Sequence, residues 1–126
     1  MNLIEQLNRA IGYIELNLTD AEALSSVANV TSYSSYHFQR IFNYLTDMPL
    51  SEYIRKRKMS VAVVDLQRGD RVIDVAVKYG YNSADSFTRA FERQHGFTPT
   101  VVRQDGGVKF QIYTPLTFQI QIKGVQ

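Results

Sequence analysis

The sequence predicts an all-α fold of two helix-turn-helix subdomains joined by a long linker helix, about seven helices in all, followed by a short β-hairpin-like tail. Three observations carry this. Apolar residues recur at helical spacing over most of the chain. One block of the pattern occurs twice. After Gly107 the spacing changes to two.

The elements follow in order. Leu3, Leu7, Ile11, Ile14 and Leu18 fall on one helical face, with Asn2 as N-cap. A short helix over Leu24–Thr31 turns Val27 and Ala28 inward. "TSYS" turns the chain into a helix that begins near Ser34. "TDMP" breaks it, and Pro49 suits the first turn of the next helix. That helix, "LSEYIRKRKMSVAVVDLQRG", takes Tyr53, Ile54, Met59, Val61, Ala62, Val64 and Leu66 as its apolar positions and stops at Gly69. "VIDVAVKY", the turn "GYNS" and the helix "ADSFTRAFERQH" come next. Gly96 ends that helix, and a last short one spans Pro99–Arg103.

Shifting the chain by 48 residues lays Val27, Ala28, Ser32 and Tyr33 on Val75, Ala76, Gly80 and Tyr81. Shifting it by 49 lays Phe38, Arg40, Ile41 and Phe42 on Phe87, Arg89, Ala90 and Phe91. The slip of one residue lies in the turn. Two copies of helix-turn-helix result, at about 24–46 and about 72–95, with the linker helix at about 49–68. Phe38, Ile41, Phe42 and Leu45 form the inward stripe of the first copy; Phe87, Ala90 and Phe91 form that of the second. Ser34, and Asn82 or Ser83, are candidate caps. Gly80 suits a turn with positive φ, whereas Ser32 at the matching position is expected to strain it. In the tail, Val108, Phe110 and Ile112, then Phe118, Ile120 and Ile122, alternate with polar residues. This predicts strands, either beginning a sheet or forming a hairpin docked on the helices.

Composition excludes several classes. The chain has no cysteine, so disulfides, thiol chemistry and cysteine metal sites are absent, and a reducing cytoplasm is expected. His37 and His95 alone make no metal set, and no cofactor is expected. No nucleophile–base set, paired carboxylates or Gly-rich phosphate loop stands out, so no enzyme is expected. The N-terminus does not read as a signal peptide, and no apolar run is long enough for a membrane. The net charge is +2, unevenly spread. Residues 1–33 hold one basic and four acidic side chains, whereas "RKRK" at Arg55–Lys58 is the densest basic run. That bias suits a polyanion, or equally a solvated helix face.

On the outward side of the first repeat helix lie Tyr36, Gln39, Arg40 and Asn43, chemically apt for base edges in a major groove. Opposite the inward stripe of the second lie Asp85, Arg89 and Glu92, with Thr88 at the edge. A carboxylate there repels phosphates, or accepts from a cytosine amine. Phosphate contacts are expected from Ser34, Ser35, His37, Arg55, Arg57, Asn82 and Ser83. Two such helices on one body could enter successive grooves without dimerisation. The alternative is a helical protein-interaction adaptor without DNA binding, which Asp85 and Glu92 favour.

"DVAVKYGYNSADSFTRAFERQHGFTP" resembles the signature of the AraC/XylS transcription regulators, and "YSSYHFQRIF" and "SEYIRKRKMS" are similar to that family's first motif and linker. The likeness covers about residues 5–104, within a helical unit at 1–105. It implies two reading heads and regulation of transcription, more often activation, with duplex DNA and RNA polymerase as partners. Base readout falls to Tyr36, Gln39 and Arg40 in the first head, and to Ala84, Asp85, Thr88 and Arg89 in the second. Ser32, Ala23, Ala84 and Val102 depart from the family pattern. "YTPLTFQIQIKG" resembles a junction to a GyrI-like effector-binding domain. It implies that 106–126 is a β-type tail or linker, and that an effector ligand binds a domain beyond this chain.

Overall fold

The computed structural model describes residues 1–104, 109–121 and 124. Seven α-helices and one 3-10 turn account for the regular structure there: α1 (Leu3–Leu16), α2 (Ala23–Ser26), the 3-10 turn (Val27–Val30), α3 (Ser35–Thr46), α4 (Leu50–Gln67), α5 (Val72–Lys78), α6 (Ala84–His95) and α7 (Pro99–Gln104).

Local chemistry sets the helix ends. The Asn2 side chain accepts from the Glu5 amide at 2.9 Å and donates back to the Glu5 carboxylate at 3.1 Å, a reciprocal cap. Ser34 and Ser83 open α3 and α6 by accepting from the amides of His37 and Ser86, each at 3.1 Å. Both helices close in the left-handed region, α6 at Gly96 and α3 at Asp47, the one described non-glycine residue with positive φ (57°).

The two turns solve one problem differently. After α5, Gly80 takes φ 85°, and the Tyr81 amide reaches back to the Ala76 carbonyl at 2.9 Å. The first turn has no glycine, and the strain expected at Ser32 does not arise. Gln6 of α1 accepts from the Ser32 amide at 2.6 Å and from its hydroxyl at 2.8 Å. Thr31 accepts from the Tyr33 amide at 3.2 Å. Side chains hold this turn without positive φ.

Two apolar clusters result. Leu7, Ile11 and Ile14 of α1 meet Val27, Phe38, Phe42, Leu50, Tyr53 and Ile54 in the first. Met59, Ala62, Val63 and Leu66 meet Val75, Ala76, Phe87, Phe91 and Val102 in the second. Helix α4 supplies residues to both. Its apolar register differs from expectation at one place: Val63 is 4% exposed and Val64 53%. Leu45, expected inward, is 47% exposed at the end of its stripe.

The tail also departs from expectation. Among the described residues 109–121 there is no strand; Val108 and Ile122 lie outside the described residues. An extended segment is fastened to helices by side chains instead of a partner strand. The amides of Gln111, Tyr113, Leu116 and Phe118 donate to His95 Nδ1 (3.1 Å), Ser60 Oγ (2.9 Å), the Tyr53 hydroxyl (3.1 Å) and Asn8 Oδ1 (2.8 Å). The expected period-two face is not formed: Phe118 packs on the first cluster and Phe110 on the second, whereas Ile112 and Ile120 are 51% and 74% exposed.

Candidate nucleic-acid interface

Helix α3 presents its outward residues along an open groove of about 480 Å³ lined by Ser35, Tyr36, Gln39, Arg40, Asn43, Pro49 and Leu50. Phe38 and Phe42, fully buried on the other side, fix the rotation of the helix. Tyr36 is 70% exposed. The Arg40 guanidinium lies 5.7 Å from the Tyr36 ring centre and 3.4 Å from its hydroxyl. Gln39 donates to Ser35 Oγ at 3.1 Å. One helix turn thus brings together an exposed aromatic ring, a half-buried amide and an exposed forked cation.

Helix α6 repeats the placement with different chemistry. Phe87 and Phe91 are buried, Asp85 and Arg89 are exposed, and Ala84 and Thr88 are half-buried at the helix edge. Asn82 is exposed beside the cap Ser83. Ser34 spends its oxygen on its helix start and keeps its hydroxyl proton for another acceptor, whereas the Ser83 hydroxyl also donates to Ser86 Oγ at 3.1 Å. His37 is exposed, with its ring edge-on to Tyr33 at 6.1 Å.

The basic run on α4 divides. Arg57, expected on phosphates, is only 7% exposed. It donates to Glu15 at 2.6 and 2.9 Å and to the Tyr113 carbonyl, so its guanidinium is withdrawn from the surface. Lys58 donates to the Tyr79 carbonyl at 3.2 Å, and burial lowers its pKa from the ordinary value. Arg55 and Lys56 stay half-exposed. They line a hollow between α4 and α6 together with Arg93, a residue the sequence reading passed over. The signal was available: Arg93 stands eight residues after Asp85 and four after Arg89, on adjoining parts of one face.

A buried carboxylate locks the second repeat to α4. Asp65, 2% exposed, accepts from the Tyr79 hydroxyl at 2.5 Å, Lys78 at 3.0 Å and Arg68. Burial alone would raise its pKa. The three donors outweigh burial and hold it below the ordinary carboxylate value. Burial, reinforced by the bond to Asp65, pushes the Tyr79 phenol upward.

Two capped helices with matching buried stripes and outward polar faces define the class as a helix-turn-helix DNA-binding protein. A family model described as a helix-turn-helix domain matches residues 27–105. The HTH-type transcriptional activator AarP of Providencia stuartii is 37% identical over 98 residues, covering 77% of this chain and 73% of that protein. The probable transcription factor PqrA of Proteus vulgaris is 35% identical over 103 residues, covering 79% and 84%. The right origin-binding protein of Escherichia coli (strain K12) is 36% identical over 93 residues, covering 73% of this chain and 32% of that protein. The crystal structure of a transcriptional regulator from Chromobacterium violaceum, described as an AraC-type DNA-binding domain-containing protein, shares the fold. Its TM-score is 0.72 at 19% identity, covering 79% of this chain and 90% of that one. The chain belongs to the AraC-type helix-turn-helix family, and its function is DNA-binding regulation of transcription.

Proposed function

We propose that the protein places α3 and α6 in successive major grooves of one duplex, with α4 as the rigid connector between two reading heads, and that it activates transcription. The observation that carries this is the outward set on α3, Tyr36, Gln39, Arg40 and Asn43, open along one groove behind a capped helix start. In the second head Ala84, Asp85, Thr88 and Arg89 read the bases; Asp85, Thr88 and Arg89 stand 49 residues after Tyr36, Gln39 and Arg40. Ser34, Ser35, His37, Arg55, Asn82 and Ser83 serve the phosphates. A single chain engages both half-sites. RNA polymerase is the partner that activation requires, and 106–126 leads towards an effector-binding domain.

Selection of bound sequences from a random duplex pool tests this reading. Two half-sites about one helical turn, ~34 Å, apart are expected. A single half-site would confine base reading to one head. Arg40→Ala is expected to weaken binding to the selected sequence by about 1–3 kcal/mol and to relax preference at one position. Unchanged affinity together with unchanged preference would remove Arg40 from base readout.

A further inference from the structure

We propose that the hollow between α4, α6 and the tail is an anion site for one DNA backbone phosphate, clamped by Arg55 and Arg93 and walled by the tail. The proposal rests on the DNA-binding reading above and adds to it a site that the tail helps to build. The hollow measures about 170 Å³ and is lined by Glu52, Arg55, Lys56, Arg93, Gln94 and Tyr113, among others. That is several times the ~30 Å³ share of one water molecule in the liquid.

Charge points to the occupant. Arg55 and Arg93 come from different helices and border one hollow, yet neither forms an ion pair among the described residues. Both guanidinium groups lie near enough to the Tyr81 hydroxyl to oppose the upward shift that burial imposes on that phenol. Two unpaired cations side by side repel, and an anion between them reverses the sign of that interaction. The carboxylate facing the hollow is Glu52, which lies 3.9 Å from Lys56 Nζ and draws on that lysine instead of the arginines.

The walls are held in place. Gln94 donates to the Lys56 carbonyl at 3.1 Å, to Ser60 Oγ at 3.2 Å and to the Gln111 carbonyl at 3.0 Å, tying α6, α4 and the tail together. The Tyr113 ring sits 4.2 Å from Lys56 Nζ, and its amide is fixed on Ser60. A fork from each helix suits a phosphodiester, whose two free oxygens accept paired N–H groups. Arg93 lies one turn beyond Arg89. A duplex reached by Arg89 therefore has its backbone within range of Arg93, with Arg55 on the facing helix.

The test measures affinity for a random-sequence duplex, and for the selected sequence, across a salt series. Arg93→Ala is expected to weaken both by a similar factor and to reduce the slope of log K against log salt by about one. Arg93→Lys is expected to restore most of that slope. The base preference of Arg93→Ala is expected to match that of the wild type, unlike Arg40→Ala. Arg93 is exposed, so a circular-dichroism melt of the variant is expected to overlay that of the parent. A wild-type slope in Arg93→Ala would overturn the clamp while leaving the reading heads intact. Wild-type protein that bound no duplex in a salt-sensitive way would overturn the DNA reading itself, and the clamp with it.

Discussion

Asp47 closes α3 at φ 57°, with its amide donating to the Asn43 carbonyl at 2.8 Å. Aspartate tolerates this region better than alanine does. Asp47→Ala is therefore expected to lower stability by about 1 kcal/mol, whereas Asp47→Gly is not, as chemical denaturation of the two variants will show. His95 poses a question of charge. Its Nε2 meets the Met59 carbonyl at 3.0 Å, its Nδ1 accepts from the Gln111 amide, and Phe91 lies 4.4 Å away centre to centre. Burial lowers its pKa from the ordinary histidine value, despite the bond to Met59. The unfolded chain thus binds the proton more readily than the native one. Stability contributed by neutral His95 is complete above the ordinary pKa and is lost as pH falls below it towards the depressed native value. Unfolding measured between pH 7 and 5 is expected to show a smaller loss in His95→Phe than in the wild type; equal losses would deny the histidine this role. The sequence offered no metal-ligand set around its two histidines. It did not show that one of them receives the tail, because that contact joins residues sixteen positions apart through a fold not yet known.

At the scale of the element, α4 explains why "RKRK" resisted interpretation. Four consecutive residues sweep 300° of a helix at ~100° each, so they cannot share a face. Which cation is buried depends on its neighbours: Arg57 turns inward because Glu15 of α1 meets it from 42 positions away. The apolar pattern of α4 was blurred for a related reason. A helix that feeds two clusters has apolar residues on more than one side, so Val63 and Val64 could not be ranked by periodicity. The single-sided helices α3 and α6 were the legible ones, down to their serine caps and their buried phenylalanines. Glu15→Ala is expected to cost about 2–3 kcal/mol, because it strands a largely buried guanidinium. Adding Arg57→Met is expected to recover much of that loss in the same denaturation assay. Independent, additive losses would mean that the pair is not coupled.

For the whole molecule, the extended segment 109–121 lies across the helical body and reaches both apolar clusters. The alternation was visible in the sequence, but of its described apolar residues only Phe110 and Phe118 pack inward, because partners met one at a time fix the backbone without fixing a face as a neighbouring strand would. Here the partners are side chains of Asn8, Tyr53, Ser60 and His95, drawn from three helices. Ending the chain after Gln104 is expected to lower stability by about 2–3 kcal/mol, chiefly through the half-buried Phe110 and Phe118. Amide exchange is expected to quicken around both Phe42 and Phe91. Faster exchange at one alone would mean that the strap serves a single cluster. The repeat, which ends at about residue 95, and the family match, which ends at 105, both stop short of this segment. A boundary drawn from either would cut through the packing of both apolar clusters. The smallest unit that keeps its native interior is longer than the unit that the sequence repeats.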